Sequence, residues 1–68
     1  MKTVTLDIPN ISCNHCVMSV KRETAEVDGA EFVSGDPGAK QVVVRVEDDQ
    51  ALNSLKEALV EIGYPPLG

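Results

Sequence analysis

Apolar and polar residues alternate strictly over residues 3–8, with Val4, Leu6 and Ile8 on one face and Thr3, Thr5 and Asp7 on the other. A period of two predicts a half-buried β-strand, ended by Pro9, which has no N–H for a ladder. After a polar loop over 10–14 the period lengthens. Val17, Val20, Thr24 and Val27 fall at i, i+3, i+7 and i+10, one face of a helix from about His15 to Val27. Ser12 or Asn14 is placed to cap its start. Asp28-Gly29 stops it, with glycine available for a left-handed C-cap.

Residues 30–35 predict a weaker strand, because Phe32 and Val33 are adjacent and leave its buried face ambiguous, and Gly35 loosens its end. Asp36-Pro37-Gly38 predicts a turn, with Pro presetting φ and Gly38 supplying the permissive position. The alternation returns over Gln41–Val46, with Val42, Val44 and Val46 toward the core and Val43 and Arg45 outward. A second helix is expected from about Gln50 to Ile62 on the face of Leu52, Leu55, Leu59 and Ile62, capped by Asp48 or Asp49 and ended by Gly63. The tail over 64–68 carries Pro65 and Pro66, which argue for very little ladder pairing. The order β-α-β-β-α-(β) predicts an α+β, ferredoxin-like βαββαβ sandwich. Its antiparallel sheet would carry both helices on one face, with the last strand short or missing.

Composition narrows the function. Sixty-eight residues make one domain, residues 1–68. A chain this short buries only about 60% of its unfolded surface, which weighs against a large enclosed active site and so against most enzymes. A net charge of −5 argues against nucleic acid. Glu47-Asp48-Asp49, the only acidic run, reads as a solvated turn before a helix. No stretch reaches the roughly 18 apolar residues of a membrane span, and Asp7 interrupts any leader-like run. The expectation is a free-standing cytoplasmic protein with reduced thiols.

The chemistry concentrates in Ile11-Ser12-Cys13-Asn14-His15-Cys16, which holds both cysteines and the one histidine. At C-x-x-C spacing, one thiolate on a loop and one on the first helical turn can face a single ion. Unpaired helix N–H groups and the helix dipole lower the pKa of Cys16, and that of Cys13 with it. Soft thiolates select soft ions, above all Cu(I), which accepts two ligands, whereas a structural zinc site wants four. An open shell lets a partner's thiolate enter before either original bond breaks. Two buried structural cysteines and a thioredoxin-like redox dithiol are the bland and the enzymatic alternatives.

Read together, these residues resemble the heavy-metal-associated domain family, in particular its small bacterial copper chaperones of the CopZ and Atx type. The resemblance covers the whole chain. It rests on Ile11-Ser12-Cys13-Asn14-His15-Cys16-Val17, Asp28-Gly29-Ala30, the valine strand 42–46 and Glu61-Ile62-Gly63-Tyr64. It implies the ferredoxin-like fold and one Cu(I) held by Cys13 and Cys16, with Ag(I) or Hg(II) as alternative cargo. It also implies a Tyr64 ring that shields the metal and a Tyr64 hydroxyl that bonds near a thiolate; the alternative is a plain rim aromatic. The chain departs from the family pattern at three places. Asn10-Ile11 replaces the usual Gly-Met, so Ile11 would pack beneath the loop and Asn10 would tolerate an unusual φ. Gly35 replaces an apolar strand residue, and Pro65-Pro66 replaces the final strand.

His15 is expected to point to solvent, with a third ligand or a partner or dimer contact as alternatives. Met18 reads as surface or partial core. Lys21 and Arg22 read as a solvated helix face or a contact for an acidic partner. The leading function is a non-enzymatic Cu(I) carrier. By resemblance, its partner is a copper-transporting P-type ATPase, that ATPase's metal-binding domain, or a copper-responsive repressor. The apo chain would be a monomer, with a metal-bridged dimer open to the holo form. Rival readings are a mercury, zinc or cadmium carrier, a detached ATPase domain, a small dithiol oxidoreductase and a protein-docking module. The neighbours Ile11, Ser12, Asn14 and His15 include no acid, which favours copper over zinc.

Overall fold

In the computed structural model, which describes residues 2–67, the opening alternation forms β1 (Lys2–Asp7). It is followed by α1 (Asn14–Glu26), β2 (Ala30–Asp36), β3 (Gln41–Val46) and α2 (Asp49–Glu61). β3 lies between β1 and β2, antiparallel to both. The register lines up apolar rows on one sheet face: Leu6, Val42 and Gly35, then Val4, Val44 and Phe32. Val42, Val44 and Val46 are fully buried in one core with Leu6, Ile8, Val20, Leu55 and Leu59. Both helices cover that face. The strand, helix and hairpin order is as the sequence predicts.

Several local expectations are corrected. Ile8 leaves the ladder yet stays buried, its N–H donating to the Lys40 carbonyl at 2.8 Å. β2 is neither frayed nor short. It pairs along its length, with Val33 pushed out as a bulge between Phe32 and Ser34. The bulge resolves the Phe32–Val33 ambiguity, because one extra residue lets Phe32 pack inward while Val33 faces solvent and Gly35 returns to the core face. Gly35 is there because α1 is pressed against it: a Cβ at that position would lie 2.5 Å from Val17 Cγ1 and 3.2 Å from Phe32 Cζ.

The turns also depart from expectation. Gly29 (φ 84) is not the C-cap of α1, which is the extended Val27. The glycine sits in the following Val27–Ala30 turn, closed by a 3.2 Å bond from Ala30 N–H to the Val27 carbonyl. In the β2–β3 turn the left-handed residue is Lys40 (φ 58), not Gly38. Asp36 instead organises that turn, its Oδ1 accepting from the Gly38 and Ala39 N–H groups. Asn10 takes no positive φ either.

The second helix starts as expected, with Asp48 accepting from Ala51 N–H at 2.9 Å. Its buried face is Ala51, Leu55 and Leu59 rather than a row ending at Ile62, which is the exposed C-cap residue. The helix ends in a Schellman arrangement, with Gly63 (φ 88) donating to Val60 and Tyr64 to Leu59. No fourth strand forms among the described residues. The tail contributes one bridge, with Leu67 N–H donating to the Asp7 carbonyl at 2.7 Å.

Gly35→Ala is expected to destabilise the fold by about 1–3 kcal/mol through overpacking against Val17. Denaturant unfolding measures this. The double variant Gly35→Ala/Val17→Ala is expected to recover part of the loss; equal stability of wild type and Gly35→Ala would refute the close-packing account.

Candidate metal centre

The loop after β1 is closed by a turn in which Ile11 N–H donates to the Ile8 carbonyl at 3.1 Å. Ile8 and Ile11 are both fully buried, so Ile11 packs beneath the loop, where a methionine was expected to be replaceable. The chain then rises to the surface at Ser12 and Cys13 and enters α1. Cys13 is itself the N-cap residue, extended at φ −159, and its side chain makes no capping bond. The expected cap by Ser12 or Asn14 is therefore absent. Asn14 is already the first helical residue, and the Ser12 hydroxyl is turned to Cys16 Sγ at 3.8 Å. The first turn also holds no acid. Its free N–H groups and positive dipole end are left facing the thiols.

The two sulfurs lie 3.9 Å apart, Cys13 exposed and Cys16 buried, both free thiols. Cys16 is lowered to about 6, first by the Tyr64 hydroxyl and then by the Ser12 backbone N–H, against the opposing effect of desolvation. Tyr64 is raised in turn, chiefly by the same hydrogen bond to Cys16. Its ring is half-buried against the core. Asn10 ties the loop to this corner, its Nδ2 donating to the Gly63 carbonyl at 2.9 Å.

Other candidates fall further away. His15 and Asn14 are exposed on the first turn of α1. Met18, Lys21 and Arg22 are exposed on the same helix and line a shallow depression with Ala25. Among the described residues, no group of three or more His, Cys, Asp or Glu side chains is placed to hold an ion. Sequence reasoning missed Lys40, whose Nζ donates to the Ile11 carbonyl at 2.8 Å. Its only trace in the sequence is its place next to the predicted turn.

Because the Cys16 pKa is lower folded than unfolded, its contribution to stability is complete above the ordinary thiol value of 9.0 and is lost as pH falls through about 6. Tyr64→Phe is expected to raise the Cys16 pKa and flatten that dependence in the metal-free, reduced protein. The pH profile of Cys16 alkylation measures the first effect, and denaturant midpoints across this range measure the second. An unchanged alkylation profile would remove the tyrosine from this role.

Known proteins resemble this chain in sequence and fold. A sequence profile of the heavy-metal-associated domain matches residues 5–65. The COP-associated protein of Helicobacter pylori strain J99 is 35% identical over 60 residues, 88% of this chain and 91% of that protein. The mercuric transport protein periplasmic component of Pseudomonas aeruginosa is 34% identical over 65 residues, 94% of this chain and 71% of that protein. The crystal structure of oxidized MerP from Ralstonia metallidurans CH34 superposes with a TM-score of 0.83 at 32% identity, covering 97% of this chain and 93% of that one. The chain belongs to the heavy-metal-associated domain family, as a metal-binding chaperone domain.

Proposed function

We propose that this chain carries one soft, thiophilic cation between the thiolates of Cys13 and Cys16 and hands it to a thiolate pair on a partner. The observation that carries the reading is the pair of sulfurs 3.9 Å apart at an uncapped helix end, one exposed and one buried. With thiolate–metal bonds of ~2.3 Å, a linear two-coordinate ion needs its sulfurs about 4.6 Å apart. Rotation of the exposed Cys13 side chain supplies the difference. Exposure also makes Cys13 the entry point for an incoming thiolate, while Cys16 keeps hold of the ion. Zinc is a poor fit, because a structural zinc site closes with four ligands.

Cu(I) and Hg(II) both suit two thiolates, so the expectation of copper widens to a choice between two ions. The COP-associated relative supports copper. In that reading the chain is cytoplasmic and delivers to a copper-transporting P-type ATPase, its metal-binding domain or a copper-responsive repressor. The mercuric relatives match over a longer stretch and support mercury. In that reading the chain works beside a mercury transporter, in the compartment their name gives. No helix is long and apolar enough to cross a membrane among the described residues, which suits a carrier in either compartment.

The deciding experiment titrates the reduced protein with Cu(I) and Hg(II) against chromogenic competitors, with Zn(II) in parallel and native mass spectrometry for stoichiometry. One ion per chain is expected, held far more tightly than Zn(II), and the tighter of the two relative to the competitor names the cargo. Cys13→Ser and Cys16→Ser are each expected to weaken binding by orders of magnitude while circular dichroism stays folded. Unchanged affinity in both variants would sink the carrier reading.

A further inference from the structure

Lys40 occupies a position that turn chemistry reserves for glycine or asparagine. Its φ of 58 is left-handed, a conformation costly for a side chain with a Cβ. Gly38 lies two residues earlier and does not take it. A residue that breaks a local rule needs a compensating role, and Lys40 has contacts that supply one. Its backbone carbonyl accepts from Ile8 N–H at 2.8 Å, and its Nζ donates to the Ile11 carbonyl at 2.8 Å. One residue therefore grips both ends of the Ile8–Ile11 turn, immediately before Ser12 and Cys13.

The second grip has a reach beyond Ile11. The Ile11 carbonyl and the Ser12 N–H belong to one rigid peptide plane and point in opposite directions. Ser12 meets the sulfur of Cys16, its hydroxyl lying 3.8 Å from Sγ. An ammonium on this plane fixes the backbone that carries Ser12 to the sulfur. The Asn10 bond to Gly63 holds the opposite side of the loop.

We propose that Lys40 is a positioning residue for metal retention, acting through the Ile11–Ser12 peptide to keep Ser12 against Cys16 Sγ. This rests on the carrier reading for its functional consequence. Its structural half stands without metal. The left-handed backbone and the ammonium are both used: the first brings the carbonyl to Ile8, and the second reaches Ile11.

Lys40→Asn separates the two, since asparagine tolerates the left-handed backbone but carries no ammonium. Lys40→Gly does the same without a side chain, and Lys40→Arg keeps a cationic donor. Two readouts are taken on the intact chain. The first is amide hydrogen exchange at Ser12 in the reduced, metal-free protein, with Val44 as the internal control. The second is the rate at which Cu(I)-loaded protein gives up its ion to excess bicinchoninate. In Lys40→Asn and Lys40→Gly, both are expected to rise about three- to tenfold, the effect of losing one hydrogen bond. Thermal stability should hold or improve as backbone strain is relieved, and Lys40→Arg should stay near wild type. A hairpin residue with a merely structural role would move stability and leave release unchanged. Release at the wild-type rate, or faster release without faster Ser12 exchange, overturns the proposal. Should the wild type take up no Cu(I), the carrier reading fails, and Ser12 exchange alone then decides whether Lys40 braces the peptide.

Discussion

Val17 fills the notch that Gly35 leaves in the sheet, and from this contact the arrangement of the site follows. Any side chain at position 35 would lift the first turn of α1 away from β2. Val17 is the neighbour of Cys16, so the depth at which the helix sits is also the depth of that thiol. Cys16 lies at the edge of the core, within reach of Tyr64 from the end of α2. Two glycine positions cooperate over this distance. Gly35 lets α1 come close, and Gly63 turns the chain after α2 so that Tyr64 comes back over the same corner.

The two helices start differently, and the difference is chemical. α2 opens on Asp48, whose carboxylate satisfies an N–H of its first turn, with Asp49 adding a second acid at its positive end. α1 has neither device. An acid there would offset the positive helix end beside the thiols and would repel a loaded, electron-rich thiolate pair. The lost cap is a cost of about 1 kcal/mol that a purely structural helix would avoid. The surrounding tethers, Asn10 to Gly63 and Lys40 to Ile11, hold the loop without touching the N–H groups of that first turn.

Much of this was legible in the sequence, because the signals were periodic or covalent in origin. Alternation at Val4, Leu6 and Ile8 and at Val42, Val44 and Val46 marked the strands and their buried face. The C-x-x-C spacing before a helical pattern marked the candidate site. What was not legible depended on partners far away in the chain. Gly35 reads as a weak point locally and makes sense only against Val17. Val33 looks like a core residue until the bulge turns it out. Ile62 fits the helical period but lies past the last turn, where the chain has already begun to reverse. Lys40 carries no turn signal of its own, since nothing local predicts a lysine with a positive φ. The choice between copper and mercury is not a matter of spacing at all, because both ions ask the same of two sulfurs.

The bulge at Val33 and the single bridge at Leu67 bear on how copies of this chain behave when crowded. The sheet has two open borders, β2 and β1, each able in principle to template a further strand. The Val33 bulge breaks the first in mid-strand. On the second, Leu67 occupies the outward carbonyl of Asp7, which leaves only the outward-facing main chain of Thr3 and Thr5 exposed. Two residues are too short a template for strand addition, and a net charge of −5 adds mutual repulsion. In the carrier reading, the chain has to stay dispersed until it meets its partner. Here the defects in the sheet serve colloidal solubility, and they keep sticky encounters from competing with productive ones.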